Sequence, residues 1–291
     1  MNTRAEMRPL HPCAAAGLLL ISTACGSAGS PARPSGTPAG TFPSGDIQLG
    51  YALDVPTGTG PFPAIVLGHG SGRSTRSEAA PLATRLVAAG FAVLRYDKRG
   101  VGESGGTYEG VSVANSERVL GLLGGDMAAG VAFLRTRPEV DRRRLGLLGV
   151  SQAGWVMPIA ARRAPDVAFM VLIVGPTVSV GLENYYSSLA ERSTTPLDEV
   201  YAQLDFHGAP GFDPRPTLST LSTPGLWLLG EMDRSIPTRQ SVEILRELEA
   251  EGRPYRTIVY PGATHSMTDA DTGAPVDFMR DVLVFLQQWR R

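Results

Sequence analysis

Hydrophobic and polar positions change rhythm several times along the chain. Ile47, Leu49, Tyr51, Leu53 and Val55 alternate with other residues, the period of two that marks a half-buried strand. Pro56 to Pro63 is a turn-rich connection. Ala64 to Leu67 is a short apolar run, which predicts a strand covered on both faces. Leu82 and Leu86 mark a helix, with Gly90 placed to end it, and Phe91 to Tyr96 reads as the next strand. Leu120, Leu123, Met127, Val131 and Leu134 then recur at helical spacing. Leu145 to Val150 predicts a strand, Gln152 to Arg163 a helix and Val167 to Val174 another strand. Leu226 to Leu229 is a strand, followed by a helix over Thr238 to Glu251 that Gly252 ends. Tyr255 to Tyr260 is a strand, and a last helix is expected from Pro275 to about Trp289. Arg142, Arg143 and Arg144 fall where a helix-to-strand turn is expected and read as solvated.

Strand and helix alternate, which predicts an α/β fold with a mostly parallel central sheet and helices on both faces. The stretch 177–222 breaks the rhythm. It is richer in polar and turn residues and holds Tyr185, Tyr186, Tyr201 and Phe206. We read it as a small cap inserted between two core strands, because structureless loops of this length are uncommon in compact domains. Its tyrosines are expected to give a partly aromatic pocket roof.

Composition narrows the class. Hydrophobic residues make up 43% of the 291 and charged residues 19%, which suits a folded chain with a large core. With 27 basic and 28 acidic residues the formal net charge is -1, so nothing favours nucleic acid or an acidic membrane surface as partner. The two cysteines, Cys13 and Cys25, both lie near the start, leaving the rest without a thiol nucleophile or thiolate metal ligand. Arg4 and Arg8 precede an apolar stretch from Cys13 to Ile21, then Ser22-Thr23-Ala24-Cys25. This is the layout of a secretory signal over residues 1–25. Ala24-Cys25-Gly26 resembles a bacterial lipoprotein signal, although Ser22 stands where leucine is usual. The Pro-, Gly- and Ser-rich residues 26–45 read as a flexible tether, and 46–291 as the folded domain. The expected location is outside the cell membrane, held by a lipid on Cys25 or, with an ordinary cleaved signal, secreted.

The chemistry sits in three loops. Gly149-Val150-Ser151-Gln152-Ala153-Gly154 follows a strand and opens a helix, the context of a G-x-S-x-G nucleophile elbow with alanine at the last small position. Ser151 is the candidate nucleophile and needs a base. Of His11, His69, His207 and His265, only His265 lies just after the last strand, on the sheet edge that carries Ser151. The acid is expected between serine and histidine in the chain. Asp233, after the strand Leu226 to Leu229, fits, with Glu231 its nearest rival. Gly68-His69-Gly70-Ser71-Gly72 follows a buried strand and suits an oxyanion hole formed by the backbone N–H groups of Ser71 and Gln152. In Asp97-Lys98-Arg99-Gly100-Val101-Gly102 the aspartate and arginine are expected to pair and stiffen the pocket wall.

Taken in order, these motifs resemble bacterial α/β-hydrolases of the dienelactone-hydrolase and prolyl-oligopeptidase-like superfamily, over about Phe42 to Arg291. The resemblance implies the α/β-hydrolase fold and hydrolysis of a small-molecule carboxylic ester, with no metal and no organic cofactor. Full oligopeptidases of this kind carry a large N-terminal propeller, for which this chain is expected to have no room. A small peptidase or amidase, or an acyltransferase, would use the same triad. A non-catalytic binding lipoprotein would most naturally have lost one of its three residues. The signal reading is checked in a bacterial host fed an alkyne-tagged palmitate: the full chain is expected to take up label and Cys25→Ala to lose it. Equal labelling of both proteins would remove Cys25 as the anchor.

Overall fold

The computed structural model describes residues 38–191 and 193–290. The expected signal, Cys25 and most of the tether lie outside the described residues. The first part of the chain forms β1 (Ala39–Ser44), β2 (Ile47–Asp54), β3 (Phe62–Gly68), α1 (Ala80–Ala88), β4 (Ala92–Tyr96) and α2 (Ser116–Leu134). Next come β5 (Val140–Val150), α3 (Ala153–Arg163), β6 (Phe169–Ile173), α4 (Val180–Ala190), α5 (Leu197–Ala202) and α6 (Arg215–Leu218). The chain closes with β7 (Gly225–Gly230), α7 (Thr238–Ala250), β8 (Tyr255–Tyr260) and α8 (Phe278–Leu286).

One eight-stranded sheet runs in the order β1-β2-β4-β3-β5-β6-β7-β8. The β1–β2 and β2–β4 pairs are antiparallel, and every pair from β3–β4 to β7–β8 is parallel. The parallel strands alternate their side chains between two cores. Val66, Leu94, Leu147, Leu172 and Trp227 face α2, α3 and α7. Ile65, Val93, Leu148, Val171 and Leu226 face α1 and α8. Strand order reverses between β3 and β5, since β4 lies on one side of β3 and β5 on the other. Such a switch leaves a crevice at the carboxyl ends of the two strands, where ligands bind in open α/β sheets. Gly90, at φ +94°, ends α1, and the N–H of Phe91 reaches back to Leu86 O at 3.1 Å.

Four expectations are corrected. Ala39–Ser44, read as tether, is an edge strand whose Phe42 is fully buried among Tyr51, Tyr96 and Phe133. Pro43 is tolerated there because an edge strand needs no donor on its open side. The run Arg142 to Arg144 lies within β5, on a stretch where its register against β3 shifts, and not in a turn. The last helix starts at Phe278, three residues beyond Pro275. Thr268 and Pro275 form a bridge and Val276 N donates to Met267 O, so those residues pair with the loop before them. The fourth concerns Tyr186. It is fully buried, so it does not roof a pocket.

The insertion between β6 and β7 carries α4, α5 and α6. Tyr186, Ala190, Leu197 and Val200 give it a small core of its own. Among the described residues no helix is long and apolar enough to cross a membrane. Truncating a fully buried phenylalanine removes a large apolar group and leaves a cavity. Phe42→Ala is therefore expected to lower unfolding free energy by about 3–5 kcal/mol in urea titration. A loss below about 1 kcal/mol, the range of surface positions, would return β1 to the tether.

Candidate active site

Ser151 directly follows β5 with φ +51°, in the left-handed region that side chains seldom occupy. The turn is held from both sides. Ser151 N donates to Ile173 O at 2.9 Å, and Gly154 N donates to Ser151 O at 2.8 Å. The crowding explains the small neighbours. A Cβ on Gly149 would stand 2.4 Å from Ala153 Cβ, and one on Gly154 would stand 2.6 Å from Pro176 N. Ala153 itself fits because Gly149 and Gly68 leave room for its methyl group.

The candidate acid and base, Asp233 and His265, come from adjacent loops at the carboxyl ends of β7 and β8. The loops are bonded to each other: Glu231 N donates to Tyr260 O at 3.0 Å and Met232 N to Ala263 O at 2.8 Å. His265 sits at the tip of a tight turn closed by Thr264 N to Thr268 O, 2.8 Å. Its Nε2 is 3.1 Å from Ser151 Oγ, and its Nδ1 is 2.8 Å from Asp233 Oδ2. Asp233 is fully buried. Its other oxygen accepts from the N–H groups of Ser235 and Ile236, both at 2.8 Å. Burial alone would pull the His265 imidazole down. The Asp233 charge and hydrogen bond, with the Glu191 charge, outweigh it and hold the ring above its ordinary value.

The other candidates are placed elsewhere. Glu231 accepts from Gly262 N at 3.1 Å and does not reach the imidazole. His69 donates from Nε2 to Tyr96 O at 2.7 Å. Burial, then the Lys98 charge, lower it to about 4, so it stays neutral. His207 is exposed beside Asp205. Thr238 bonds Gly230 O at 2.7 Å and thereby ties the start of α7 to the end of β7.

The loop after β3 passes over the nucleophile. A Cβ on Gly70 would lie 3.6 Å from Ser151 Cβ. Among the described residues, the N–H groups of Ser71 and Gln152 donate to no protein acceptor. Asp97 and Arg99 do not pair with each other, contrary to expectation. Asp97 bonds Arg76 through its N–H at 2.7 Å and its guanidinium at 3.1 Å, and also Glu103 N at 2.9 Å. Arg99 instead meets the buried Asp126, at 2.6 and 3.0 Å. Both ion pairs link the loop to distant segments, a relation that local spacing does not carry.

Two residues make contacts that the sequence reading did not assign to them. Tyr186 of α4 donates from its hydroxyl to Asp233 O at 2.6 Å, anchoring the insertion to the acid loop. Lys98 is buried between the Gly68-to-Gly72 loop and Gln152. The signal for Tyr186 is its i, i+4 spacing with Ala190 on one face of α4.

Fold and site together define an α/β hydrolase of the serine type. More specifically, the chain belongs to the prolyl oligopeptidase family, whose model matches residues 75–291. It is 23% identical over 242 residues to the acylamino-acid-releasing enzyme of Rattus norvegicus, covering 76% of this chain and 31% of that enzyme. It is 25% identical over 258 residues to esterase EstD of Thermotoga maritima, covering 78% of this chain and 60% of that one. The chain thus spans about a third of the acylamino-acid-releasing enzymes it matches. Among solved structures, an esterase of Pyrococcus furiosus superposes with TM-score 0.64 at 18% identity, over 88% of this chain and 92% of that one. A proline iminopeptidase of Mycobacterium smegmatis gives 0.61 at 18% identity, over 87% and 99%.

The His265–Asp233 pair yields a signed prediction. Its folded value lies above 6.5, so its contribution to stability is full below pH 6.5 and fades as pH rises through the folded value. Asp233→Asn removes the charge that opposes burial. The ring is then expected to titrate lower than in the unaltered protein, followed by histidine NMR. An equal or higher value would show that Asp233 is not what raises it.

Proposed function

We propose that this chain hydrolyses carboxylic esters through an acyl-enzyme on Ser151. The observation that carries the reading is the unbroken relay from Ser151 Oγ through the His265 ring to a buried Asp233. His265 Nδ1–H donates to Asp233 Oδ2, which fixes the tautomer that leaves Nε2 free to accept. Nε2 takes the Ser151 proton as Oγ attacks the acyl carbon. The carbonyl electrons move to the oxygen, which rests on the N–H groups of Ser71 and Gln152. The tetrahedral adduct collapses, the alcohol leaves with the proton from Nε2, and the acyl group stays on Ser151. Water then gives a proton to Nε2 and attacks the acyl carbon; the second adduct collapses, Nε2 returns that proton to Ser151 Oγ, and the acid is released.

Similarity to esterase EstD over 60% of that enzyme supports the ester as the bond cleaved. The second reading is a peptidase or amidase with the same relay. It is favoured by the family match and by the acylamino-acid-releasing enzymes, of which this chain spans 31%. The choice is made by offering the full chain p-nitrophenyl acyl esters and p-nitroanilide amides. Ester turnover is expected to dominate and to drop at least ~10⁴-fold in Ser151→Ala. Faster amide turnover would select the peptidase. A folded protein that turns over neither, and whose serine ignores a fluorophosphonate, would end the catalytic reading.

A further inference from the structure

Lys98, in the loop after β4, is 3% exposed. Lysine is seldom buried so fully without a carboxylate partner. Here the acceptors around Nζ are neutral: Gly70 O at 2.6 Å, Gly72 O at 3.0 Å and Gln152 Oε1 at 3.0 Å. An ammonium has three protons, so each finds one oxygen. The nearby carboxylates are engaged elsewhere. Asp97 holds Arg76 and Glu103 N, and Glu78 accepts from Thr75 N at 3.1 Å. The third neighbour, His69, is neutral.

These three oxygens have something in common. Gly70 O and the Ser71 N–H belong to one peptide unit, and a trans peptide points them in opposite directions. Fixing the oxygen on Lys98 turns the Ser71 N–H away from the lysine. Gly72 O is gripped on the far side of the same residue. The third acceptor is the side chain of Gln152, whose backbone N–H is the other candidate oxyanion donor. One nitrogen therefore ties both walls of the hole together. A cation on Gly70 O also polarises that peptide and strengthens its N–H as a donor.

We propose that Lys98 is a positioning residue that sets the oxyanion hole, clamping the Gly70–Ser71 peptide and the Gln152 side chain so that both N–H groups converge on the developing oxyanion. The proposal rests on the reading of Ser151 as the nucleophile of acyl transfer. Its effect falls on the transition state, so it belongs in kcat and not in KM. Burial lowers the lysine to about 8, with the Glu78 charge working the other way. It is a cation at neutral pH and loses its charge in mildly alkaline solution.

The test is Lys98→Met in the full chain, assayed on a p-nitrophenyl ester and for binding of a trifluoromethyl ketone, whose adduct carries the oxyanion. Deleting one oxyanion donor outright costs about 10²–10³ in kcat, so loss of its support is expected to cost roughly 10- to 100-fold, with KM within about twofold. The ketone should weaken by a similar factor, which a merely structural role would not produce. A folded Lys98→Met with kcat within about twofold of the unaltered protein overturns the proposal and leaves Ser151→Ala to judge the nucleophile separately. Should Lys98→Met fail to fold, the unaltered chain decides. A kcat that falls as pH rises through about 8 supports the proposal if it persists in Glu183→Gln, whose carboxyl burial pushes into the same range. A flat kcat across that range overturns it. An unaltered chain without turnover overturns both readings together.

Discussion

The backbone at Ser151 is forced into the left-handed region, and the rest of the site is built around keeping it there. Such a conformation costs on the order of 1–3 kcal/mol and persists only where the surroundings over-determine it. Here they do. The parallel pairing of β5 with β6 delivers Ile173 O to the Ser151 N–H, and Pro176, just beyond β6, closes on Gly154. Gly68, opposite Gly149 in the register of β3 and β5, makes room for Ala153. Val174, at φ +46°, follows β6 and donates to Leu228 O on the next strand. The strain is thus distributed along the carboxyl edge and held by strand register, not by any single contact.

That edge also has to bury charge. Three solutions occur side by side. Asp233 is fully buried and accepts from two backbone N–H groups and the imidazole. His69 solves the problem by staying neutral against a carbonyl. Lys98 sits among carbonyl and amide oxygens, which lower the penalty without cancelling the charge. Around the proposed nucleophile the result is a fixed polarity: a carboxylate behind the imidazole and a lysine behind the proposed oxyanion loop. Preorganised charge of this kind needs little rearrangement when the reacting atoms become charged.

How much of this was legible in the sequence follows from the range of each interaction. The central strands were readable because a strand buried on both faces is apolar throughout, as at Ala64 to Leu67 and Leu226 to Leu229. Ser151 and Asp233 were readable because each follows such a strand within a few residues, His265 because it follows the last, half-exposed strand, and parallel pairing brings those ends to one edge. What failed depends on partners far along the chain. Nothing near Asp97 announces Arg76, and nothing near Arg99 announces Asp126. β1 was missed because Ala39–Ser44 contains Gly40 and Pro43 and owes its place to one aromatic, Phe42. Lys98 escaped because its acceptors include two backbone carbonyls, which leave no mark on residue type.

The insertion is the part of the molecule in which substrate choice has room to differ. The relay is common to ester and amide cleavage, so it does not discriminate between them. The segment between β6 and β7 has its own small core, yet it is not free of the site. Tyr186 bonds the Asp233 carbonyl, Arg234 bonds Ala190 O and Thr195 O, and Ser235 bonds Glu191. All four bonds land on the loop that orients the imidazole. An insertion fastened in this way cannot shift without disturbing Asp233. Tyr185 and Phe206 pack against each other on the same insertion, ring centroids 5.8 Å apart, and take no part in these bonds.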